Sequence, residues 1–227
     1  MSRPAQLPLV LPHRPALGRE DFLVAPGNAE AVAWLDCWPR WPGPALVVHG
    51  PAGCGKTHLA HVWRAQAGAS LATPADLDIA TLPDLLTGGA VAIDEADTVA
   101  GHPDRERALF HLYNLALQRG GHLLLLARRP PSRWRLRLAD LRSRAKAAPT
   151  VAIEPPDDDL LSALLVKLFA DRQLQPEPEV VAYLAARMER SGDAARRVVA
   201  ALDAASLAAR RPVTVPLARA VLTEELG

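Results

Sequence analysis

The sequence is poor in cysteine and aromatic residues, carries almost no net charge and has no long apolar run. Its two cysteines, Cys37 and Cys54, are too few for a disulfide framework or a cysteine-based metal site. A formal net charge of +1 excludes a global attraction to nucleic acids or acidic membranes, so any such binding has to come from a local patch. No stretch approaches the roughly 20 apolar residues of a membrane span, and the start of the chain lacks the apolar core of a signal peptide. We therefore expect a cytoplasmic protein that does not bind membranes.

A glycine-rich loop is the strongest signal in the sequence. Residues 50–57 fit the pattern G-x-x-x-x-G-K-T, in which backbone N–H groups surround phosphate oxygens. Lys56 is expected to reach the β- and γ-phosphates, and the Thr57 hydroxyl is expected to bind Mg²⁺. The predicted phosphate-binding residues are Gly50, Pro51, Ala52, Gly53, Cys54, Gly55, Lys56 and Thr57. Because an apolar run ends at the loop and a helical pattern follows it, a chance match in an ordinary turn is the weaker interpretation.

Two carboxylates directly follow another apolar run. Residues 90–93 read Ala-Val-Ala-Ile and lead directly into Asp94 and Glu95. Ligands of open α/β sheets lie at the carboxyl ends of the strands. We therefore predict that Asp94 holds Mg²⁺ through water, opposite Thr57, and that Glu95 polarises the attacking water. An acidic turn without a catalytic role is the alternative.

The remaining pattern divides the chain into three parts. Prolines interrupt residues 1–20, which are predicted to form an extended tail. Short apolar runs alternate with helical patterns over residues 21–155, which predicts an α/β domain with a parallel sheet flanked by helices. After two successive prolines only helical patterns follow, and they predict a small all-α lid domain over residues 156–227.

Two segments indicate surfaces for partners. Residues 6–11 read Gln-Leu-Pro-Leu-Val-Leu, and apolar side chains on an extended tail indicate a groove on a partner protein, with an unbound tail as the alternative. A basic stretch follows a further apolar run, His-Leu-Leu-Leu-Leu at residues 122–126. It is interpreted as a solvated face or as a weak contact to the DNA backbone, and it contains Arg133, Arg135, Arg137, Arg142, Arg144 and Lys146.

These motifs, in this order, resemble the AAA+ module of the bacterial initiator DnaA. The resemblance rests on a segment with Phe22 and Asn28, the loop from Gly50 through His58, the acidic strand end, and the run Phe-His-Leu-Tyr-Asn at 110–114. It covers nearly all of residues 20–226. It implies an AAA+ P-loop NTPase body followed by an all-α lid, with ADP or ATP and Mg²⁺ as ligands.

Within this group the chain is most similar to the Hda family of DnaA-related regulators. Initiators continue into a helix-turn-helix domain, whereas this sequence stops after the lid, so sequence-specific DNA binding is not expected. The tail is similar to the clamp-binding pattern Q-L-x-L-x-L, which would assign clamp contacts to Gln6, Leu7, Leu9 and Leu11. The resemblance implies a negative regulator of replication initiation that docks on the sliding clamp of DNA polymerase III and promotes ATP hydrolysis by DnaA.

The resemblance also implies individual roles. Arg144 follows Leu-Arg-Ser and matches the arginine finger that acts on the γ-phosphate of a neighbouring subunit. Arg190 matches the lid arginine that contacts the nucleotide phosphates. Arg196 is a rival for that role, because residues 192–196 resemble the G-D-x-R form with one residue too many. Phe22 and Asn28 are expected to border the base and ribose, with a core position as the alternative for Phe22.

One departure from the family pattern bears on activity. Where many AAA+ proteins place Asn, Ser or Thr to position the lytic water, this sequence reads Leu126-Ala127-Arg128. Hydrolysis in cis is therefore expected to be slow, and the chain is expected to activate the ATPase of DnaA rather than to be an efficient ATPase alone. The alternatives are an autonomous AAA+ ATPase, such as a helicase-loader relative, and a truncated initiator that binds DNA through the basic stretch. Self-association and the choice between ADP and ATP stay open.

Overall fold

Helices and strands alternate through the first part of the chain, and helices alone follow. The structure is a computed structural model that describes residues 22–226. The strands are β1 (Ala45–His49), β2 (Ser70–Ala72), β3 (Ala90–Ile93), β4 (His122–Ala127) and β5 (Thr150–Ala152). The helices are α1 (Pro26–Asp36), α2 (Lys56–Ala67), α3 (Leu82–Leu85), α4 (Pro103–Arg119), α5 (Ala139–Ala147), α6 (Asp158–Asp171), α7 (Pro178–Ala185), α8 (Gly192–Ala209) and α9 (Val215–Leu226).

The five strands form one parallel sheet in the order β2-β3-β4-β1-β5. In its register Ala45 lies beside Leu123 and His49 lies beside Ala127. Because all strands run the same way, the loops that follow β1, β3 and β4 leave the sheet at one edge. This edge carries the predicted nucleotide site, and the predicted α/β fold is confirmed.

Each face of the sheet is covered by helices, because both faces of its central strands are apolar. Leu46 and Val48 of β1 pack with α1 and α2, whereas Val47 between them packs with α4 and α5 on the opposite face. Trp63 of α2 and Leu112 of α4 are fully buried against the two faces. A strand that is apolar on both sides is typical of a parallel sheet of this kind.

The helical part has a core of its own. Leu165 of α6, Leu184 of α7, Leu202 of α8 and Leu222 of α9 belong to one apolar cluster. Asp157 accepts a hydrogen bond from Leu160 N at 2.8 Å and caps α6. The all-α character of the lid is confirmed, while the division of the chain at residues 155 and 156 stays a prediction. No helix within residues 22–226 is long and apolar enough to cross a membrane.

A buried carboxylate fixes the connection between β4 and α5. Glu106 of α4 is 1% exposed, and its Oε2 accepts hydrogen bonds from Arg137 N at 2.9 Å and Leu138 N at 2.8 Å. Its Oε1 accepts a third from Gly101 N at 3.1 Å. Three backbone donors replace the water that a buried carboxylate would lose. The sequence analysis did not identify this residue.

Candidate nucleotide-binding site

The glycine-rich loop connects β1 to α2 at the carboxyl edge of the sheet. Gly50 has no room for a side chain, because a Cβ there would lie 2.3 Å from the backbone oxygen of Ile153 and 2.8 Å from Cys54 Sγ. Gly55 precedes α2 with a φ of 102°, a conformation that strongly favours glycine. Gly50 is therefore required by the lack of space for a side chain, and Gly55 is favoured by its backbone conformation.

Lys56 is folded onto this loop. Its side chain is 9% exposed, and Nζ donates hydrogen bonds to the backbone oxygens of Gly50 at 2.8 Å and Pro51 at 2.7 Å. The Cys54 sulfur lies 3.7 Å from the same nitrogen. Burial raises the pKa of the Cys54 thiol, although the Lys56 charge opposes this effect. The ammonium therefore lies inside the loop, where it can meet an anion.

The structure brings the loop and the acidic strand end together. Thr57 Oγ1 donates a hydrogen bond to Asp94 Oδ2 at 2.7 Å, and Asp94 Oδ1 accepts one from Glu95 N at 2.8 Å. A hydroxyl and a carboxylate are hard oxygen ligands of the kind that Mg²⁺ prefers, and Mg²⁺ usually completes its shell with phosphate and water. Among the described residues, no group of three His, Cys, Asp or Glu could hold a metal ion alone. The pair therefore fits a magnesium ion that enters with a nucleotide.

A polar cavity surrounds this pair. It is lined by Ala52, Gly53, Lys56, Thr57, Thr73, Asp94, Glu95, Ala127, Arg128 and Asp193. The Arg128 guanidinium nitrogen Nη2 lies 3.8 Å from Glu95 Oε1, with both side chains more than half exposed. Glu95 itself has a φ of 53°, which is uncommon for a residue with a side chain. Arg128, the last residue of the stretch 126–128 that stands where many AAA+ proteins position the lytic water, therefore faces the predicted general base.

A neighbouring and more apolar cavity lies between the body and the lid. The body contributes Phe22, Leu23, Asn28 and His58, and the lid contributes Pro156, Leu160, Leu164 and Arg196. The rings of Phe22 and His58 meet edge to face at 5.3 Å. Asn28 is 5% exposed and its side chain is engaged with backbone groups, since Oδ1 accepts from Ala25 N and Nδ2 donates to Leu23 O. Phe22, Asn28 and His58 thus share a cavity, and Asn28 also shapes the start of α1.

The lid rests directly on the phosphate loop. Gly192 N donates a hydrogen bond to Gly53 O at 2.8 Å. Gly53 has a φ of 69°, and a Cβ there would lie 2.4 Å from the Cβ of Ser191. Ser191 is buried and caps α8 through the hydrogen bond that its Oγ accepts from Ala194 N. The sequence analysis did not predict this contact. The available signal was a serine directly before a helical pattern, which is typical of a helix N-cap.

The two candidate lid arginines lie in different places. Arg196 lines the apolar cavity and pairs with Asp193, whose side chain lines the polar cavity. Arg190 forms an ion pair with Asp158 at 2.8 Å and lines neither cavity. The geometry thus favours Arg196 as the arginine next to a bound nucleotide.

Arg144 also lies outside both cavities. Its guanidinium carbon lies 5.2 Å from the ring centre of Phe110 and 5.1 Å from that of Tyr113. Burial raises the pKa of Tyr113, and the Arg144 charge opposes the shift. None of the ion pairs formed by side chains of residues 22–223 involves Arg144. The residues Gln6, Leu7, Leu9 and Leu11 lie outside the described residues.

Comparison with known proteins identifies the lid and the fold. Residues 157–222 match a family model described as the Hda lid domain. Domain III of the replication initiation protein DnaA from Thermotoga maritima is 22% identical, with a TM-score of 0.80, and the match covers 94% of this chain and 98% of that one. AMPPCP-bound DnaA from Aquifex aeolicus is 21% identical, with a TM-score of 0.63 over 75% of this chain and 60% of that one.

A more distant similarity extends to another AAA+ protein. The Holliday junction branch migration motor RuvB from Thermotoga maritima is 17% identical, with a TM-score of 0.63 over 79% of this chain and 61% of that one. The fold is therefore that of an AAA+ protein. The lid match and the structural similarity are consistent with an Hda-like, DnaA-related AAA+ protein.

Proposed function

We propose that this chain is a cytoplasmic, Hda-like negative regulator of chromosomal replication initiation. In this proposal it binds ADP or ATP with Mg²⁺, docks through its tail on the sliding clamp of DNA polymerase III, and promotes ATP hydrolysis by DnaA. The match of residues 157–222 to the Hda lid domain is the observation that carries the proposal. The fold similarity to DnaA domain III supports it, because related AAA+ modules can pack side by side and share a nucleotide site between them.

Nucleotide binding is supported by the geometry of the phosphate loop. Lys56 supplies a cation inside the loop, and the Thr57–Asp94 hydrogen bond joins two groups that suit Mg²⁺. The apolar cavity beside the loop would accept the base, with Phe22 and His58 on one side and Arg196 on the other. One of the similar structures, DnaA from Aquifex aeolicus, is bound to AMPPCP.

Action on a neighbouring subunit is supported by the position of Arg144. An arginine finger has to be held away from its own nucleotide and be free to meet the γ-phosphate of another molecule. Arg144 lines neither cavity of this chain, and the rings of Phe110 and Tyr113 support its guanidinium. A cation on aromatic faces keeps its hydrogen-bond donors available at the ring edges. This arrangement suits a donor that stabilises charge on the phosphate of DnaA.

An autonomous AAA+ ATPase is the second candidate. The grouping of Thr57, Asp94 and Glu95 favours it, because these residues could hold Mg²⁺ and activate water in cis. The arginine that faces Glu95 weighs against it, since Glu95 has a cation in place of a neutral water-positioning residue. Single-turnover hydrolysis by the isolated protein separates the two candidates. Rapid magnesium-dependent turnover, without DnaA or the clamp, would support the second.

Reconstitution tests the regulatory proposal. Clamp loaded on DNA is mixed with ATP-bound DnaA and this protein, and the fraction of DnaA-bound nucleotide converted to ADP is measured. We expect the wild-type protein to accelerate the conversion and Arg144→Ala to lose at least tenfold, about 1.4 kcal/mol of transition-state stabilisation. Arg119→Ala, which removes an exposed arginine from the end of α4, is the matched control. Equal activity of Arg144→Ala and wild type would overturn the assigned role.

The clamp contact is tested in the same system. Gln6→Ala combined with Leu7→Ala should abolish retention on the clamp and slow the conversion, while the nucleotide affinity of the protein stays unchanged. Retention of the double variant at the wild-type level would remove the tail from the proposal.

A further inference from the structure

The basic stretch after β4 presents a row of arginines on a rigid support. Residues 128–146 contain eight basic residues and one acidic residue, although the whole chain has a net charge of only +1. Trp134 and Leu136 are 5% and 4% exposed and belong to the core under the sheet. The residues that alternate with them are exposed, and we call them the arginine row: Arg133, Arg135 and Arg137.

Hydrogen bonds between side chains and the backbone anchor the segment that carries the arginine row. Trp134 Nε1 donates to Arg129 O at 2.7 Å, and Arg142 Nη1 donates to Leu136 O at 3.2 Å. Arg137 N donates to the buried Glu106 at 2.9 Å. Anchors of this kind reduce the ordering cost of binding, because the backbone that carries the guanidinium groups is already fixed.

The charges of the arginine row are not neutralised within the described part of the chain. None of the ion pairs formed by side chains of residues 22–223 involves Arg133, Arg135 or Arg137. In the lid, by contrast, Arg172 pairs with Asp203 and Arg190 pairs with Asp158. These two lid arginines have acidic partners, whereas the arginine row leaves its positive charge to an external anion.

The composition of the row favours a duplex over an unpaired strand. Trp134, the aromatic residue within 128–146, is buried, so the row offers no ring on which an unpaired base could stack. A row of guanidinium groups without stacking rings suits the phosphate backbone of a duplex better than an unpaired strand.

We propose that the arginine row is a binding site for the phosphate backbone of double-stranded DNA, independent of base sequence. The row lies near the nucleotide edge of the sheet, because it follows the carboxyl end of β4 at that edge. This inference does not depend on the role proposed for Arg144.

Fluorescence anisotropy with a labelled random-sequence duplex tests the proposal on the full-length protein. The triple variant Arg133→Gln/Arg135→Gln/Arg137→Gln should bind at least tenfold more weakly at about 50 mM salt. The slope of log affinity against log salt should also fall by about 2 to 3, because three phosphate contacts are lost. The charge-matched control is Arg197→Gln/Arg211→Gln/Arg219→Gln in the lid, which should keep the wild-type affinity and slope.

Three outcomes would overturn the inference. The first is equal binding by the row variant and the lid control, with circular dichroism showing that both are folded. The second is binding of a single strand of the same length as tightly as the duplex, which would indicate a stacking site. The third is tighter binding of polyglutamate than of the duplex, which would assign the row to an acidic protein.

Discussion

Arg128, at the carboxyl end of β4, places its guanidinium 3.8 Å from Glu95, at the carboxyl end of β3. The two strands are neighbours in a parallel sheet, so the residues that follow them are brought side by side. Glu95 can polarise water only when its carboxylate is free to accept the proton or hydrogen bond. A guanidinium that competes for this carboxylate restrains the residue on which hydrolysis in cis would depend.

Removal of this arginine should increase the ATPase activity of the isolated protein. We expect Arg128→Gln to hydrolyse ATP several-fold faster than wild type in a magnesium-dependent single turnover, because Glu95 is released. Arg129→Gln, a change of the same charge at the next exposed position, should leave the rate unchanged. In the double variant Arg128→Gln/Glu95→Gln the gain should disappear. A slower Arg128→Gln protein would instead mean that the arginine stabilises charge on the terminal phosphate.

The Thr57–Asp94 hydrogen bond predicts that both residues are needed for Mg²⁺ to increase the affinity for ATP. Thr57→Val and Asp94→Asn should each remove the increase in ATP affinity that Mg²⁺ produces, because each change weakens an oxygen ligand. Affinity measured in EDTA should change by less than about threefold, since Lys56 and the loop backbone remain. Titration with a fluorescent nucleotide, with and without Mg²⁺, measures both quantities. Full magnesium dependence in both variants would place the metal elsewhere.

The contact between Gly53 and the lid can be tested with a matched glycine. Gly53→Ala puts a methyl group 2.4 Å from Ser191 Cβ, whereas Gly120, with a similar φ of 64°, has open space around it. Both substitutions cost about 1 kcal/mol for the left-handed conformation, so the difference between them reports the clash. We expect Gly53→Ala to lower the melting temperature further and to weaken nucleotide binding. Addition of Ser191→Gly should restore binding, and equal behaviour of the two alanine variants would exclude a tight contact.

The glycine-rich loop and the acidic strand end are recognisable in the sequence because their demands are local. Gly50 and Gly55 are required by their own surroundings and backbone, and Asp94 follows a strand that is recognisable by itself. The contact of Gly53 with Ser191 was not predictable in this way, because it depends on how the lid packs on the body. The sequence left Arg190 and Arg196 as rivals for a similar reason, since only packing decides which of them faces the cavity.

Glu106 should stabilise the protein through its three backbone hydrogen bonds. This residue lies three positions before Leu109, on the apolar face of α4, so a carboxylate at a core position was the signal in the sequence. Glu106→Ala should lower the free energy of unfolding by about 3 kcal/mol, because three backbone donors lose a charged acceptor. Glu106→Gln should cost less. The exposed Glu30→Ala on α1 is the control, and denaturant unfolding measures all three variants.

His122 predicts a loss of stability in mild acid. It lies beside Trp38 and Trp41 at ring distances of 6.0 and 5.6 Å, and burial lowers its pKa while a hydrogen bond to the Pro39 backbone opposes the shift. The pKa of His49 is lowered as well, by burial first and then by the charges of Lys56 and Arg133. In both cases the unfolded chain takes up a proton before the folded one does. Their contribution to stability is therefore fully present above the ordinary histidine pKa of about 6.5 and is lost as the pH falls through the lower folded values.

Thermal unfolding between about pH 7.5 and about pH 5.5 measures this effect. The melting temperature of the wild-type protein should fall across this range, and His122→Gln should reduce the fall without abolishing it, because His49 still titrates with the same sign. The exposed His102→Gln should keep the full pH dependence. The Trp38 and Trp41 rings should report the same transition by fluorescence. A His122→Gln protein with the same pH dependence as wild type would show that protonation of this imidazole does not oppose folding.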